Sequence, residues 1–276
     1  MIAVALLLAG AAAAFVLFRP SGGEVAVAWA ELNTEDVHSL TFAPDDPDRL
    51  YFGHHDGLLE SDDGGRSWQP TALTGSDAMN VRAGSDGLLQ VAGHEVYLAS
   101  RDGGQTWEPV PNDLPALDLH AFVTAPANPA RAWAFAAGHG LFESTDAGRH
   151  WELRQPGSFG SLAIFERDGE PILVGLTESG IARSEDGGRT WRPLGMPSGQ
   201  LTTLAASVDG RVLYAGTTDG LQRSTDGGAT WMRTRFAGVA LAIAVAPTDA
   251  ETVAVVDDAS RFYRSGDGGA TWPGGG

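Results

Sequence analysis

The sequence predicts an all-β chain: a six-bladed β-propeller of four-stranded antiparallel blades, closed by an N-terminal strand that completes the last blade. Three observations predict it. An eight-residue pattern, Ser-x-Asp-x-Gly-x-x-Trp, occurs six times. Its serines, Ser61, Ser100, Ser144, Ser184, Ser224 and Ser265, stand 39 to 44 residues apart, the length of one four-stranded blade. The 37 glycines and 15 prolines mark many turns rather than long helices.

Taken from the N-terminus, Met1 to Phe18 carries no charged residue, close to the lower limit of the roughly 17–25 apolar residues that span a bilayer. Residues 1–23 are therefore expected to be an export signal or membrane anchor with a short linker. Ala11 to Ala14 would suit signal-peptidase cleavage, whereas the usual basic n-region is missing and Arg19 follows the apolar run. Cleaved and anchored forms both fit. Residues 24–276 are expected to form one propeller, with blades near 37–71, 78–110, 117–154, 160–194, 201–234 and 239–272. In blade one the strands read as Leu40 to Ala43, Leu50 to Gly53, Gly57 into the pattern, and a fourth leaving from Trp68. Trp29 followed by Ala30, Glu31 and Leu32 looks like a fourth strand without its pattern, and the sixth pattern ends at Trp272 with too little chain for one. Pairing of Val25 to Leu32 with the Ser265 blade is expected to join the ends and remove two exposed strand edges.

The repeated pattern has a mechanical reading. A tight turn between the third and fourth strands needs its backbone donors satisfied and a residue tolerant of positive φ; short Ser and Asp side chains supply the first and Gly the second. The Trp five residues after the Asp can fold under the turn and bury on the order of 150–250 Å². The residues read as structural are Ser61, Asp63, Gly65, Trp68, Ser100, Asp102, Gly104, Trp107, Ser144, Asp146, Gly148, Trp151, Ser184, Asp186, Gly188, Trp191, Ser224, Asp226, Gly228, Trp231, Ser265, Asp267, Gly269 and Trp272. A calcium-loop reading of Ser61 to Gly65 fails, because glycines fill ligand positions and no bidentate Glu follows at the twelfth.

Eighteen basic residues, all arginine, stand against 35 acidic ones, a net charge of −17. Such a body lacks the basic stripe that phosphate backbones require, so nucleic acid is excluded as a partner and membrane contact is expected through the N-terminal segment only. With no cysteine there are no disulfides, thiolate metal sites or cysteine nucleophile. A monomer is expected.

The repeats resemble the Asp boxes of the bacterial neuraminidase repeat superfamily over nearly everything from Trp29 to Trp272. That resemblance implies the propeller strongly and function weakly, since the superfamily includes sialidases, xyloglucanases, sortilin-type receptors and photosystem II assembly factors. The short blades look most like small exported bacterial members labelled sialidase-like or glycosyl-hydrolase-like. Resemblance to a sialidase implies an arginine triad, a Tyr nucleophile with its Glu and an Asp acid/base on the central face. Here Tyr51 and Tyr214 read as second-strand residues, Tyr97 and Tyr263 as third-strand residues, and only Arg82 among the arginines reads as innermost. Phe18-Arg19-Pro20 lies in the N-terminal segment rather than on blade one, so sialidase chemistry is not expected and the catalytic residues are unknown.

The face opposite the boxes gathers histidines. His38 and His120 begin inner strands, each two residues after an acid, Asp36 and Asp118, which alternation places on the same side. The turns between second and third strands add His54, His55 and Asp56, then His94 and Glu95, then His139. The corresponding turns of blades four to six hold Glu178, Ser179, Thr218, Asp219 and Asp257 instead. Trp133, Phe122, Phe135 and Phe165 read as core or inter-blade packing. Three functions remain open. The first is a non-catalytic exported module that binds a protein, peptide or glycan on this face, with Arg82 and the histidine sector as ligand-binding candidates. The second is a glycoside hydrolase with a carboxylate pair ~5–9.5 Å apart near the channel, marked by one raised pKa. The third is a divalent-metal protein using the histidine sector, marked by three convergent imidazoles.

Overall fold

The computed structural model describes residues 26–85 and 87–275. The N-terminal apolar run lies outside the described residues. Among the described residues, no helix is long and apolar enough to cross a membrane.

Every blade is a four-stranded antiparallel sheet in simple up-and-down order. Blade one runs Ser39–Phe42, Leu50–His54, Gly57–Ser61 and Gln69–Thr74 from the centre outward. The innermost strands of the later blades are Asn80–Ala83, Leu119–Thr124, Phe159–Arg167, Leu201–Ala206 and Ala240–Ala246. The second strands are the most deeply buried, as Leu50–His54 and Ala132–Ala136 illustrate. They read as near-continuous apolar runs because each is covered by a neighbouring blade on both faces.

Closure occurs as the sequence predicts. Ala30–Glu31 pairs with Arg261–Ser265, the third strand of blade six. Flanking bonds from Trp29 N to Phe262 O (2.8 Å), Leu32 N to Ser260 O (2.8 Å) and Val27 N to Trp272 O (3.2 Å) extend the seam. The Trp29 indole N–H donates to the carbonyl of Pro273 at 2.6 Å. N- and C-terminal segments thus share one sheet, and both edges that the chain ends would expose are paired.

In each box the Ser hydroxyl donates to the Asp and accepts the N–H of the second Gly. In box one Ser61 Oγ lies 2.9 Å from Asp63 Oδ1 and 2.9 Å from Gly65 N. Asp63 also accepts the Ser67 N–H and hydroxyl, at 2.9 and 2.6 Å. The indole N–H of Trp68 returns to Gly65 O at 3.1 Å, and five of the six boxes repeat that bond. In the fifth, Trp231 reaches Gly195 O of the preceding blade instead. The Trp rings are half-buried, except Trp272, which is buried. Each second glycine has positive φ, and those of boxes one and four face the preceding blade closely: a Cβ on Gly65 would meet the Phe262 ring, and one on Gly188 would meet Leu141 Cδ2 at 2.8 Å. Trp133, Phe122, Phe135 and Phe165 are buried, and Trp133 donates to Gly187 O of the next box at 3.1 Å. One sequence expectation needs correction. Arg82 is not alone on an innermost strand, because the long first strand of blade four runs on to Arg167.

Candidate functional site

The connectors entering each blade and the turns between second and third strands lie together on the face opposite the boxes. There the structure assembles a cluster from blades one to three: Asp36, His38, His55, Asp77, His94, Asp118 and His120. Asp77 sits at its centre. It lies in the connector between blades one and two, and that connector is clamped. A Cβ on Gly53 would strike Ala78 O, and one on Gly93 would strike Asp77 O, so each second strand carries a glycine at or next to its end, where this backbone crosses.

Asp77 is only 7% exposed, and both its oxygens face imidazoles. Oδ1 lies 3.0 Å from His38 Nε2, while Oδ2 lies 2.6 Å from His94 Nδ1 and 3.6 Å from His55 Nδ1. His38 Nε2 is also 3.0 Å from Asp36 Oδ2, while Asp36 Oδ1 accepts the His55 backbone N–H at 2.9 Å. On the other side, His94 Nε2 approaches Asp118 Oδ1 at 3.2 Å and His120 Nε2 at 3.4 Å, and His120 Nε2 is 3.0 Å from the same carboxylate oxygen. The register of blade three shifts between Leu119 and Ala121, leaving His120 as a bulge residue. Bulges re-aim side chains, and this one turns His120 toward Asp118 and His94.

The cluster gathers six of the candidate residues and leaves the rest elsewhere. His54 stacks on Phe52 at 6.1 Å, and burial lowers its pKa; its Nδ1 accepts the Asp56 N–H at 3.3 Å. Glu95, at φ 57, and His139 serve their turns. The seventh histidine, His150, lies on the box face against Asp146. Three imidazoles do not share one centre; instead each of two groups combines two imidazoles with carboxylate, Asp36, His38 and His55 in one and His94, Asp118 and His120 in the other. Asp77, which touches both, is the residue the sequence reading missed.

Arg82 stands apart, within the central channel. It lines both a cavity of about 240 Å³ that opens beside His38 and His120 and one of about 340 Å³ toward the box face. Its Nη1 donates to Val81 O at 3.0 Å, and loss of hydration lowers the guanidinium to about 10 with no charged group contributing. Among the described residues, neither channel cavity is lined by a carboxylate. Glu60, whose carboxyl is raised by burial and then by the Asp62 charge, lies on the third strand of blade one, away from the channel. A further hollow of about 500 Å³ is a rim cleft between blades two and three, bounded by box residues such as Asp102 and Ala147.

Residues 24–170 match the family described as photosynthesis system II assembly factor YCF48. No curated protein matches the chain. Among solved structures it is similar to YCF48 bound to D1 peptide, with 22% identity and a TM-score of 0.56 over 88% of this chain and 82% of that one. YCF48 from Cyanidioschyzon merolae gives 21% identity and 0.56 over 90% and 88%. The GH74 xyloglucanase from Xanthomonas campestris gives 19% and 0.56 over 88% of this chain but 47% of its own, so this chain spans about half that enzyme. At such identities these likenesses establish the shared propeller.

Proposed function

Since this chain belongs to the photosynthesis system II assembly factor YCF48 family, we propose that it is a binding and assembly module that holds a polypeptide segment of a client protein. The segment lies on the face opposite the boxes, at the mouth of the central channel. The observation that carries this reading is Arg82, a cation sunk in the channel with no charged neighbour. A desolvated guanidinium without a partner carboxylate is costly to leave alone and strongly favours an incoming anionic group. The solved relative bound to a D1 peptide lends the class of ligand, a peptide.

The same wall counts against a glycosidase. Its chemistry needs an acid and a second carboxylate flanking the bond, yet the carboxylates at the rim, Asp36, Asp77 and Asp118, are each held by imidazoles. The apolar run from Met1 to Phe18 supports action outside the cytoplasm, as an anchored or released protein. Alkaline phosphatase, which needs disulfides and so becomes active only outside the cytoplasm, tests that location when fused to the C-terminus: an expressed but inactive fusion speaks against it.

Selection from a random dodecapeptide library tests the ligand class. Enrichment of carboxylate-bearing peptides whose binding falls at least tenfold in Arg82→Gln is the expected result. Peptides that bind the variant as well as the parent would remove Arg82 and the channel mouth from the account.

A further inference from the structure

The histidine and aspartate cluster beside the channel brings its imidazole nitrogens and carboxylate oxygens within reach of a shared ion. In its outer group, His94 Nε2, His120 Nε2 and Asp118 Oδ1 form a triangle with sides of 3.0, 3.2 and 3.4 Å. Donors held about 2.0–2.2 Å from one shared ion stand roughly 3.0–3.5 Å apart, from octahedral to tetrahedral angles. Hydrogen bonding satisfies this triangle only when both imidazoles carry a proton on Nε2 and donate to the one Asp118 oxygen, which sets two N–H groups against each other at 3.4 Å; a single proton leaves two lone pairs opposed. One cation at the centre satisfies all three.

The remaining nitrogen of His94 supports the same reading. Its Nδ1 lies 2.6 Å from Asp77 Oδ2. A carboxylate on Nδ1 fixes the proton there, turns the Nε2 lone pair outward and raises its basicity, the usual outer partner of a metal-binding histidine. In the inner group, His38 Nε2 stands 3.0 Å from both Asp36 Oδ2 and Asp77 Oδ1. Yet His38 Nε2 and Asp77 Oδ1 are buried without a hydrogen bond, so the close approach lacks hydrogen-bond direction. Buried polar atoms are rarely left so. Asp77 is more than nine-tenths buried, and its orphaned oxygen faces His38 Nε2, the same nitrogen that Asp36 Oδ2 approaches.

We infer that the face carries two adjacent sites for a divalent first-row transition ion of the zinc class. The outer is held by His94, Asp118 and His120, and the inner by Asp36, His38, His55 and Asp77. Asp77 links them, as a ligand of the inner ion through Oδ1 and as the partner of His94 through Oδ2. With no thiolate in the chain, the donor set of imidazole and carboxylate suits zinc, nickel, cobalt or ferrous iron over soft copper(I). Three protein donors at the half-exposed outer site leave a coordination position open toward solvent. This assignment stands on the cluster's geometry and does not depend on a client peptide.

The test uses zinc alone with the full-length chain in detergent, stripped with chelator, equilibrated with about 10 µM zinc and analysed for bound metal. Two equivalents are expected on the parent and one each on His120→Ala and His38→Ala. His150→Ala, on the box face, is expected to keep both. Asp77→Asn is expected to lose the inner ion and to weaken the outer by about 10–100-fold, the usual effect of removing an outer partner. Melting of the metal-free variants within a few degrees of the metal-free parent separates ligand loss from misfolding. A parent chain that takes up no zinc, or zinc retained undiminished by His120→Ala and His38→Ala, overturns the assignment.

Discussion

Two glycines of blade one separate the cost of backbone conformation from the cost of blade packing. Gly75 has φ +66 and open space around its Cβ position, whereas Gly65 has φ +96 and a Cβ there would meet the Phe262 ring, with even Cδ1 at only 2.8 Å. Phe262 cannot move aside easily, being fully buried with edge contacts to Trp68 at 5.3 Å and Trp29 at 6.4 Å. Gly75→Ala should cost only the left-handed conformation, about 1–2 kcal/mol. Gly65→Ala adds overpacking of about 1–3 kcal/mol, for a total of about 2–5 kcal/mol. At about 2–4 °C per kcal/mol for a chain of this size, the melting temperature falls on the order of 10 °C for Gly65→Ala and about half that or less for Gly75→Ala. Thermal unfolding followed by tryptophan fluorescence measures both, since Trp29 and Trp68 lie at the seam. Phe262→Leu should recover part of the Gly65→Ala loss, because Leu141 faces the equivalent glycine of box four. Equal shifts for the two alanine variants, or no recovery, would refute the claim that box glycines are blade contacts.

Box three places Ala147 at φ 63, where the other boxes have glycine, so Ala147→Gly should stabilise the chain by up to about 1–2 kcal/mol in denaturant melts. Ser144→Ala, by contrast, strands the buried Gly148 N–H that its hydroxyl accepts at 3.0 Å and should cost about 1–3 kcal/mol. Acid should loosen the boxes. The hydroxyls and backbone N–H groups of Thr106 and Thr230 hold Asp102 and Asp226 at about 2, against about 3.9 in an unfolded chain. The stability they confer is therefore complete above about pH 4 and lost as pH falls toward 2, which urea midpoints measured from pH 7 to pH 2 will follow. Arg82→Met should leave the melting temperature unchanged or raise it, since it removes a half-buried, poorly hydrated charge that has no counter-charge to strand; a loss of several degrees would mean that Arg82 serves the fold.

The boxes and the closing strand were legible because their chemistry is local. Ser61, Asp63, Gly65 and Trp68 bond one another within eight residues, and the Trp29 segment precedes the first innermost strand as the segments after other box tryptophans precede theirs. The cluster was half legible. His38, His55, His94 and His120 announced themselves by composition, but their grouping depends on which turns three blades bring together, and sequence spacing carries no such distance. The bulge at His120 is likewise invisible to an alternating pattern. Asp77 was missed because it stands beside no histidine in the chain. The available signal was positional: Asp36, Asp77 and Asp118 each fall in the connector just before an innermost strand.

The central claim is that the partner sits on the face opposite the boxes. A photo-crosslinking residue placed at Ser158, exposed on that face, or at Ala229, exposed in a box, tests it directly in membranes of the native host. The account predicts a client adduct from Ser158 that disappears when Arg82→Gln is added, and none from Ala229. An adduct from Ala229 alone, or one from Ser158 that persists without Arg82, would contradict it.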